Sequence, residues 1–384
     1  MWNKKMGLCK KIQEIKPFMV MEVLEAAQKM EAEGIDVIHL EVGEPDFDTP
    51  DCIREAAKRA IDEGKTKYTH SLGIRELREE ICRDYKKNYN VDIDPDQIIV
   101  TSGTSPAMLL SFGALLDNGD EVIVSDPSYA CYDTFIKFSE GIPKHLKVYE
   151  DNGFQFNIKD IKNNITKNTK AILINSPANP TGTLLSRENM EEIADLGLYV
   201  VSDEIYHGLT YEGKEHTILE FTDKAFVLNG FSKKYAMTGW RLGYLIAPKN
   251  FVRCIQSLAQ NLFICASSIA QYAALAALKY AEQDVLKMRR IYDERRRYMI
   301  KRLRDIGFKI MVEPTGAFYV FANAKKFTDN SYKFAFDILK NSHVGVTPGI
   351  DFGQNGEGFI RFSYANSLEN IKRAMDRIDK YLNG

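Results

Sequence analysis

The chain has little of what would tie it to a secreted scaffold, a polymer or a bilayer. Its six cysteines (Cys9, Cys52, Cys82, Cys131, Cys254 and Cys265) are scattered through 384 residues without a C-x-x-C pair. That excludes a disulfide framework and a cysteine zinc site, and fits reduced thiols in a cytoplasmic protein. The formal net charge is only -2, so no global field favours nucleic acid or an anionic membrane. His39, His70, His145, His207, His216 and His343 show no H-E-x-x-H spacing, and no metal site is expected. Residues 1–18 carry positive charges but no apolar core of signal-peptide length. One charge-free run, 254–278, is long enough to span a bilayer. Gln256, Gln260, Asn261, Ser267, Ser268 and Gln271 interrupt it. Amides that dense are costly in hydrocarbon, so the run reads as a buried helix and its approach. A small-molecule partner is the default.

What the chain does have is the mix of a soluble globular protein, with 45% hydrophobic and 27% charged residues. Its length suits one large and one small domain. Short β-branched runs recur at 97–101 (QIIVT), 121–125 (EVIVS), 170–174 (KAILI), 198–202 (LYVVS), 225–229 (AFVLN) and 242–247 (LGYLIA). Several are apolar almost throughout, as in strands buried on both faces. Helical patterns lie between most of them, which predicts an α/β fold with a largely parallel sheet. Thr49-Pro50-Asp51 predicts a helix to about Gly64, with Thr49 as its cap. A long helix over 284–305 carries Arg289, Arg290, Arg295, Arg296 and Arg297 interleaved with acids, which reads as a solvated face. The last hundred or so residues alternate less and close with a helix over 368–382, as a second, smaller domain would.

Ligands of an open parallel sheet bind beyond the carboxyl ends of its strands, so the residues just after each run carry the most information. After QIIVT, Gly103, Thr104 and Ser105 form a turn into a helix, whose free N–H groups suit a phosphate. There is no G-K-[ST], so it is not an ATP-type loop, and alone it is equally an ordinary turn. After KAILI comes a stiff loop that presents Asn179, and after LYVVS come Asp203 and Tyr206. A carboxylate at the mouth of a buried strand needs a cation or a cap. After AFVLN come Ser232, Lys233 and, further on, Arg241. Each signal is weak by itself. Together they supply what pyridoxal phosphate needs: a lysine for an imine, an acid for the ring nitrogen, donors for the ring oxygen, and cations with N–H groups for the phosphate.

The run GFSKKYAMTGWRLG (residues 230–243) resembles the lysine signature of the class I/II aminotransferases, in the fold-type I aspartate aminotransferase superfamily. The resemblance extends over nearly the whole chain, through Glu44-Pro45-Asp46-Phe47, Tyr68…Gly73…Leu77-Arg78, Asn179-Pro180-Thr181-Gly182, Asp203-Glu204-Ile205-Tyr206, Gly316-Ala317-Phe318-Tyr319 and Arg361. It implies a large cofactor domain over 46–280 and a smaller α/β domain built from 1–45 and 281–384. It implies pyridoxal 5'-phosphate held as an imine on Lys233, with Asp203 on the ring nitrogen, Asn179 and Tyr206 on the ring oxygen, and Tyr129 stacked on the ring. Gly103, Thr104, Ser105, Ser232 and Arg241 would surround the phosphate, joined by Tyr68 from the neighbouring subunit of a homodimer. Arg361, Gly43 and Asn179 would hold the amino-acid substrate.

The implied reaction is ping-pong transfer of an amino group from an L-amino acid to a 2-oxo acid, of the aspartate/2-oxoglutarate type or with broad specificity. LL-diaminopimelate, alanine and aromatic donors are the alternatives within it. A C–S lyase shares the same residues, and a binding protein that kept the fold is a second rival. Two positions depart from relatives. Gly230 stands where many carry a hydroxyl, and Ser105 where some aspartate-preferring ones carry a lysine.

Overall fold

The computed structural model describes residues 17–384 together with Gly7 and Ile15; Cys9 lies outside the described residues. The first strand, β1 (Ile38–His39), belongs to a small sheet. The next seven are β2 (Ile98–Thr101), β3 (Glu121–Asp126), β4 (Ile142–Lys147), β5 (Thr169–Asn175), β6 (Tyr199–Asp203), β7 (Ala225–Gly230) and β8 (Gly243–Ile246). They form one sheet in the order β2-β8-β7-β6-β5-β3-β4, in which only β8 runs antiparallel to its neighbours. Alternate side chains enter two separate cores. Ile172, Ile174, Val200 and Val227 pack on one side, while Ala171, Leu173, Val201 and Phe226 pack on the other. Burial on both faces is why these segments are continuously apolar.

β4 is not expected from its sequence. Its residues, IPKHLK, are largely exposed or half-buried at the sheet edge, where a proline and charged side chains are tolerated. The 254–278 run divides into helices Val252–Leu262 and Ser268–Tyr280, with Ser267 capping the second. Among the described residues, no helix is long and apolar enough to cross a membrane.

The helix after Thr49 spans Asp51–Asp62. Thr49 does not cap it, for its hydroxyl donates at 2.5 Å to the carbonyl of Ala236. The arginine-rich helix, Glu282–Ile306, departs from expectation in part: Arg290 and Arg297 are exposed, but two of its arginines are not. Arg295 and Arg296 are buried, Arg295 against Asp46 at 2.7 Å and Arg296 against Asp293, Glu212 and the carbonyl of Pro314. Distant acids draw them inward.

Beyond this helix lie β9 (Tyr319–Asn323), β10 (Val344–Gly345), β11 (Thr347–Pro348) and β12 (Phe359–Ser363). β11, β12 and β9 form an antiparallel sheet, and β10 pairs in parallel with β1, with Ile38 opposite Val344. The closing helix, Leu368–Asn383, buries Ile371, Ala374, Met375 and Ile378 at helical spacing, and Ser367 caps it by accepting from Asn370 N–H.

Candidate active site

A cavity of about 370 Å³ opens where β5, β6 and β7 end and where β12 and the 42–44 segment meet them. Gly43, Thr104, Ser105, Tyr129, Asn179, Asp203, Tyr206, Ser232, Lys233, Arg241 and Arg361 all line it. Gly103 lies against Arg241, whose Nη2 stands 2.9 Å from where a Cβ would be, and its φ of +96° suits glycine. Tyr68 is not brought into the cavity: it lies on the surface, 80% exposed.

Asp203 ends β6 and is buried, accepting from the Tyr132 hydroxyl at 2.8 Å and the Ile205 N–H at 3.2 Å. Burial pushes its carboxyl up to about 6, against the lowering effect of the Tyr132 bond. Lys233 follows β7 and donates at 2.6 Å to the carbonyl of Gly43. Desolvation brings its ammonium down to about 8, opposed by the nearby Glu44 carboxylate and aided by Arg361 and Arg241.

Arg361, in β12, is buried between the rings of Tyr319 and Phe352, 4.4 and 4.9 Å from their centres. It donates to Asn179 Oδ1 at 2.8 Å, to the carbonyl of Glu41 at 2.5 Å and to Thr347 at 3.1 Å. Among the described residues its buried Nε has no hydrogen-bond partner. The Asn179 side chain therefore turns its oxygen to Arg361 and keeps its NH₂ to donate elsewhere. Tyr206 and Tyr319 share a hydroxyl contact of 2.8 Å.

The helix Thr104–Leu115 begins at the end of β2 with Gly103 as its cap residue and no side-chain cap, so its first N–H groups and dipole favour an anion. The turn lies close against the sheet because Gly243 is opposite Gly230 and backs onto Gly103 and Thr104. A Cβ at Gly230 would come within 2.9 Å of Gly243 Cα and 3.0 Å of the Leu242 carbonyl. No hydroxyl fits there.

Two further cavity residues give little or no signal in the sequence. Tyr132, in the helix Tyr132–Phe138, reaches Asp203, but one tyrosine in an amphipathic segment has no distinguishing pattern. Asn175 accepts from Asn179 N–H and donates to the Asp203 carbonyl, both at 2.8 Å. As the last residue of an apolar strand it is a candidate by position alone.

These groups fit pyridoxal phosphate. A buried carboxylate wants a cationic partner, a lysine with a depressed ammonium suits imine chemistry, and a helix start beside an arginine suits a phosphate.

The family model for aminotransferase class I and II matches residues 35–378. The chain is 45% identical to a (5-formylfuran-3-yl)methyl phosphate transaminase of Methanocaldococcus jannaschii, over 98% of this chain and all of that one. It is 41% identical to an aspartate aminotransferase of Pyrococcus horikoshii, over 100% and 99% of the two chains. The structure of Thermus thermophilus aspartate aminotransferase with maleate superposes with a TM-score of 0.94 at 36% identity, covering 98% of this chain and 100% of that one. A Methanococcus jannaschii protein, its active site described as similar to kynurenine aminotransferases, does so with a TM-score of 0.92 at 44% identity, over 98% and 100%. The chain belongs to the class I and II aminotransferases, fold-type I transaminases that use pyridoxal phosphate and act on amino and 2-oxo acids.

Proposed function

We propose that this aminotransferase has broad specificity, with uncharged L-amino acids ahead of dicarboxylates as donors. The observation that carries this is the use of the cavity's cations. Among the described residues only Lys233, Arg241 and Arg361 bring positive charge to it, and in this reading each serves a group that every donor or the cofactor shares. Phe18, Val20, Leu24 and Met108 are left for the side chain, and Ser105 adds no charge. Aspartate remains a substrate to be measured against alanine and phenylalanine.

The roles follow from the chemistry of each group. Pyridoxal phosphate, when bound, supplies a ring that withdraws electrons from the substrate α-carbon. The Lys233 amine takes the proton from that carbon, a task its lowered ammonium suits. Asp203 holds a proton on the ring nitrogen, while Asn179 and Tyr206 donate to the ring oxygen and Tyr129 covers the ring. Gly103, Thr104, Ser105, Ser232 and Arg241 surround the phosphate. Arg361 grips the substrate α-carboxylate with Gly43 and Asn179 beside it.

We assign residues 46–280 to a cofactor domain, and 1–45, of which 1–6, 8–14 and 16 lie outside the described residues, with 281–384 to a smaller one. The β1–β10 pairing supports that grouping of the chain ends. The active unit is a cytoplasmic homodimer in which exposed Tyr68 reaches the other subunit's phosphate site. Sedimentation equilibrium tests the dimer, and loss of cofactor retention in Tyr68→Phe tests the contact.

A second reading concerns the acceptor. An adjoining cavity, also of about 370 Å³, shares Phe18 and Tyr129 with the first and presents Lys137 and His145, both close to Asp133. A longer acceptor with an anionic end, such as the phosphorylated furan aldehyde of the M. jannaschii relative, would extend that way. The deciding experiment mixes cofactor-loaded protein with alanine, phenylalanine, tyrosine, aspartate, glutamate and LL-diaminopimelate in turn, following the cofactor's visible band. The furan aldehyde is then offered to the aminated form. Aspartate or glutamate outpacing every neutral donor overturns the proposal. Release of pyruvate and ammonia from a thioether amino acid, without amino transfer, would place the chemistry at Cβ instead.

A further inference from the structure

Tyr132 does not belong to the set of cofactor contacts, yet it touches two of them. Its hydroxyl donates to Oδ2 of Asp203 at 2.8 Å, and both side chains are buried. Its ring meets the Tyr129 ring edge-on, centres 5.3 Å apart at 82°, an arrangement aromatic pairs favour. Tyr132 opens its helix three residues after Tyr129, so one short segment carries both the ring that covers the cofactor and the group that steadies its carboxylate.

We propose that Tyr132 is a positioning residue whose O–H holds the Asp203 carboxylate as the anionic partner of the cofactor's ring nitrogen, so that this nitrogen keeps its proton. The inference rests on the reading of Asp203 given above. A donor to a carboxylate favours its charged form and makes it a weaker base. Asp203 then pairs with the ring cation without removing its proton. Tyr132 suits this because it keeps the proton it donates: burial and the adjacent carboxylate hold its phenol far above the ordinary value. The Ile205 N–H fixes the other oxygen, so the carboxylate is held at both ends.

The test is Tyr132→Phe, which keeps the ring and its packing against Tyr129 and removes only the donor. Wild type and variant are loaded with pyridoxal phosphate carrying ¹⁵N at the ring nitrogen. We expect a protonated nitrogen in the wild type and a shift towards unprotonated pyridine in the variant. A lost hydrogen bond to a charged group implies cofactor dissociation and kcat each changed by about tenfold, with KM for donors unaffected. Ring-fluorinated tyrosine at position 132, a stronger donor of the same shape, should retain wild-type behaviour and serves as the reading should Y132F fold poorly. A nitrogen equally protonated in wild type and Y132F, with equal cofactor retention, overturns the role of Tyr132 alone. An unprotonated nitrogen in the wild type overturns the reading of Asp203 as well.

Discussion

The Lys233 ammonium reaches back 190 residues in sequence to donate to the carbonyl of Gly43 at 2.6 Å. The contact ties the segment that begins at β1 to the end of β7. It also places the amine beside Arg361 and Arg241, whose charges help desolvation bring it down to about 8.

Capture of added pyridoxal phosphate by cofactor-free protein should therefore quicken as pH rises through about 8, well below the ordinary lysine range near 10.4. Stopped-flow absorbance across pH 6 to 10 reads this. Lys233→Ala should abolish turnover, form no such band and retain native circular dichroism. Wild-type turnover in that variant would remove Lys233 from the chemistry.

Asp203 carries the opposite sign. Its carboxyl is held at about 6 in the cofactor-free native chain against an ordinary value of 3.8, so folding favours the proton. Stability from this group is complete below the unfolded value and falls as pH rises through about 6. At pH 7.5, cofactor-free Asp203→Asn should be more stable than cofactor-free wild type by about 3 kcal/mol, the free energy that separates those two values. The difference should vanish below pH 4. Urea melts at the two pH values measure it, and the same variant should bind cofactor more weakly.

Gly230→Ser would restore the hydroxyl that many relatives carry at this position. Here the new Cβ would meet backbone atoms on the facing strand at 2.9 and 3.0 Å, and backbone cannot step aside. Overpacking of this kind costs about 1–3 kcal/mol. The variant should melt earlier without binding cofactor more tightly. Tighter binding would show that the strand pair can open.

Arg361→Lys loses the fork that spans Asn179, the Glu41 carbonyl and Thr347. KM should rise about tenfold to a hundredfold, the worth of a charge-assisted bond. The α-carboxylate is common to all donors, so the factor should be the same for alanine, phenylalanine and aspartate. A donor-dependent factor would mean that Arg361 reads the side chain.

His39 donates to buried Glu41 at 2.6 Å, and this bond outweighs desolvation to hold the imidazolium up to about 9. Its stabilising effect is complete below about pH 6.5 and lost as pH rises through about 9. His39→Gln should be less stable than wild type at pH 7 and converge with it near pH 10, by thermal melts.

The large sheet is legible because β2, β3, β5, β6, β7 and β8 are buried and therefore apolar along their length. β4 is not, because an edge strand with Pro143 and Lys144 resembles a loop. The residues at the mouths of the strands are legible for the same geometric reason that puts ligands there. Arg295 and Arg296 read as solvated because their acids, Asp46 and Glu212, come from distant segments. Tyr132 escapes notice because a hydrogen bond to Asp203 across 71 residues leaves no trace in spacing.

The parallel pairing of β1 with β10 has a consequence for synthesis on the ribosome. Residues 98–246 complete the seven-stranded sheet by themselves, so a nascent chain can assemble the Gly103 turn, Asp203 and Lys233 while its last third is still being translated. Ile38 has no strand to join until Val344 has emerged, and Glu41 has no guanidinium to meet until Arg361 has followed. The Arg361 contacts are thus among the last to form, between residues more than 300 apart in sequence. Pairings that distant are slow to close. The newly made chain should be able to hold its cofactor before it can bind a substrate.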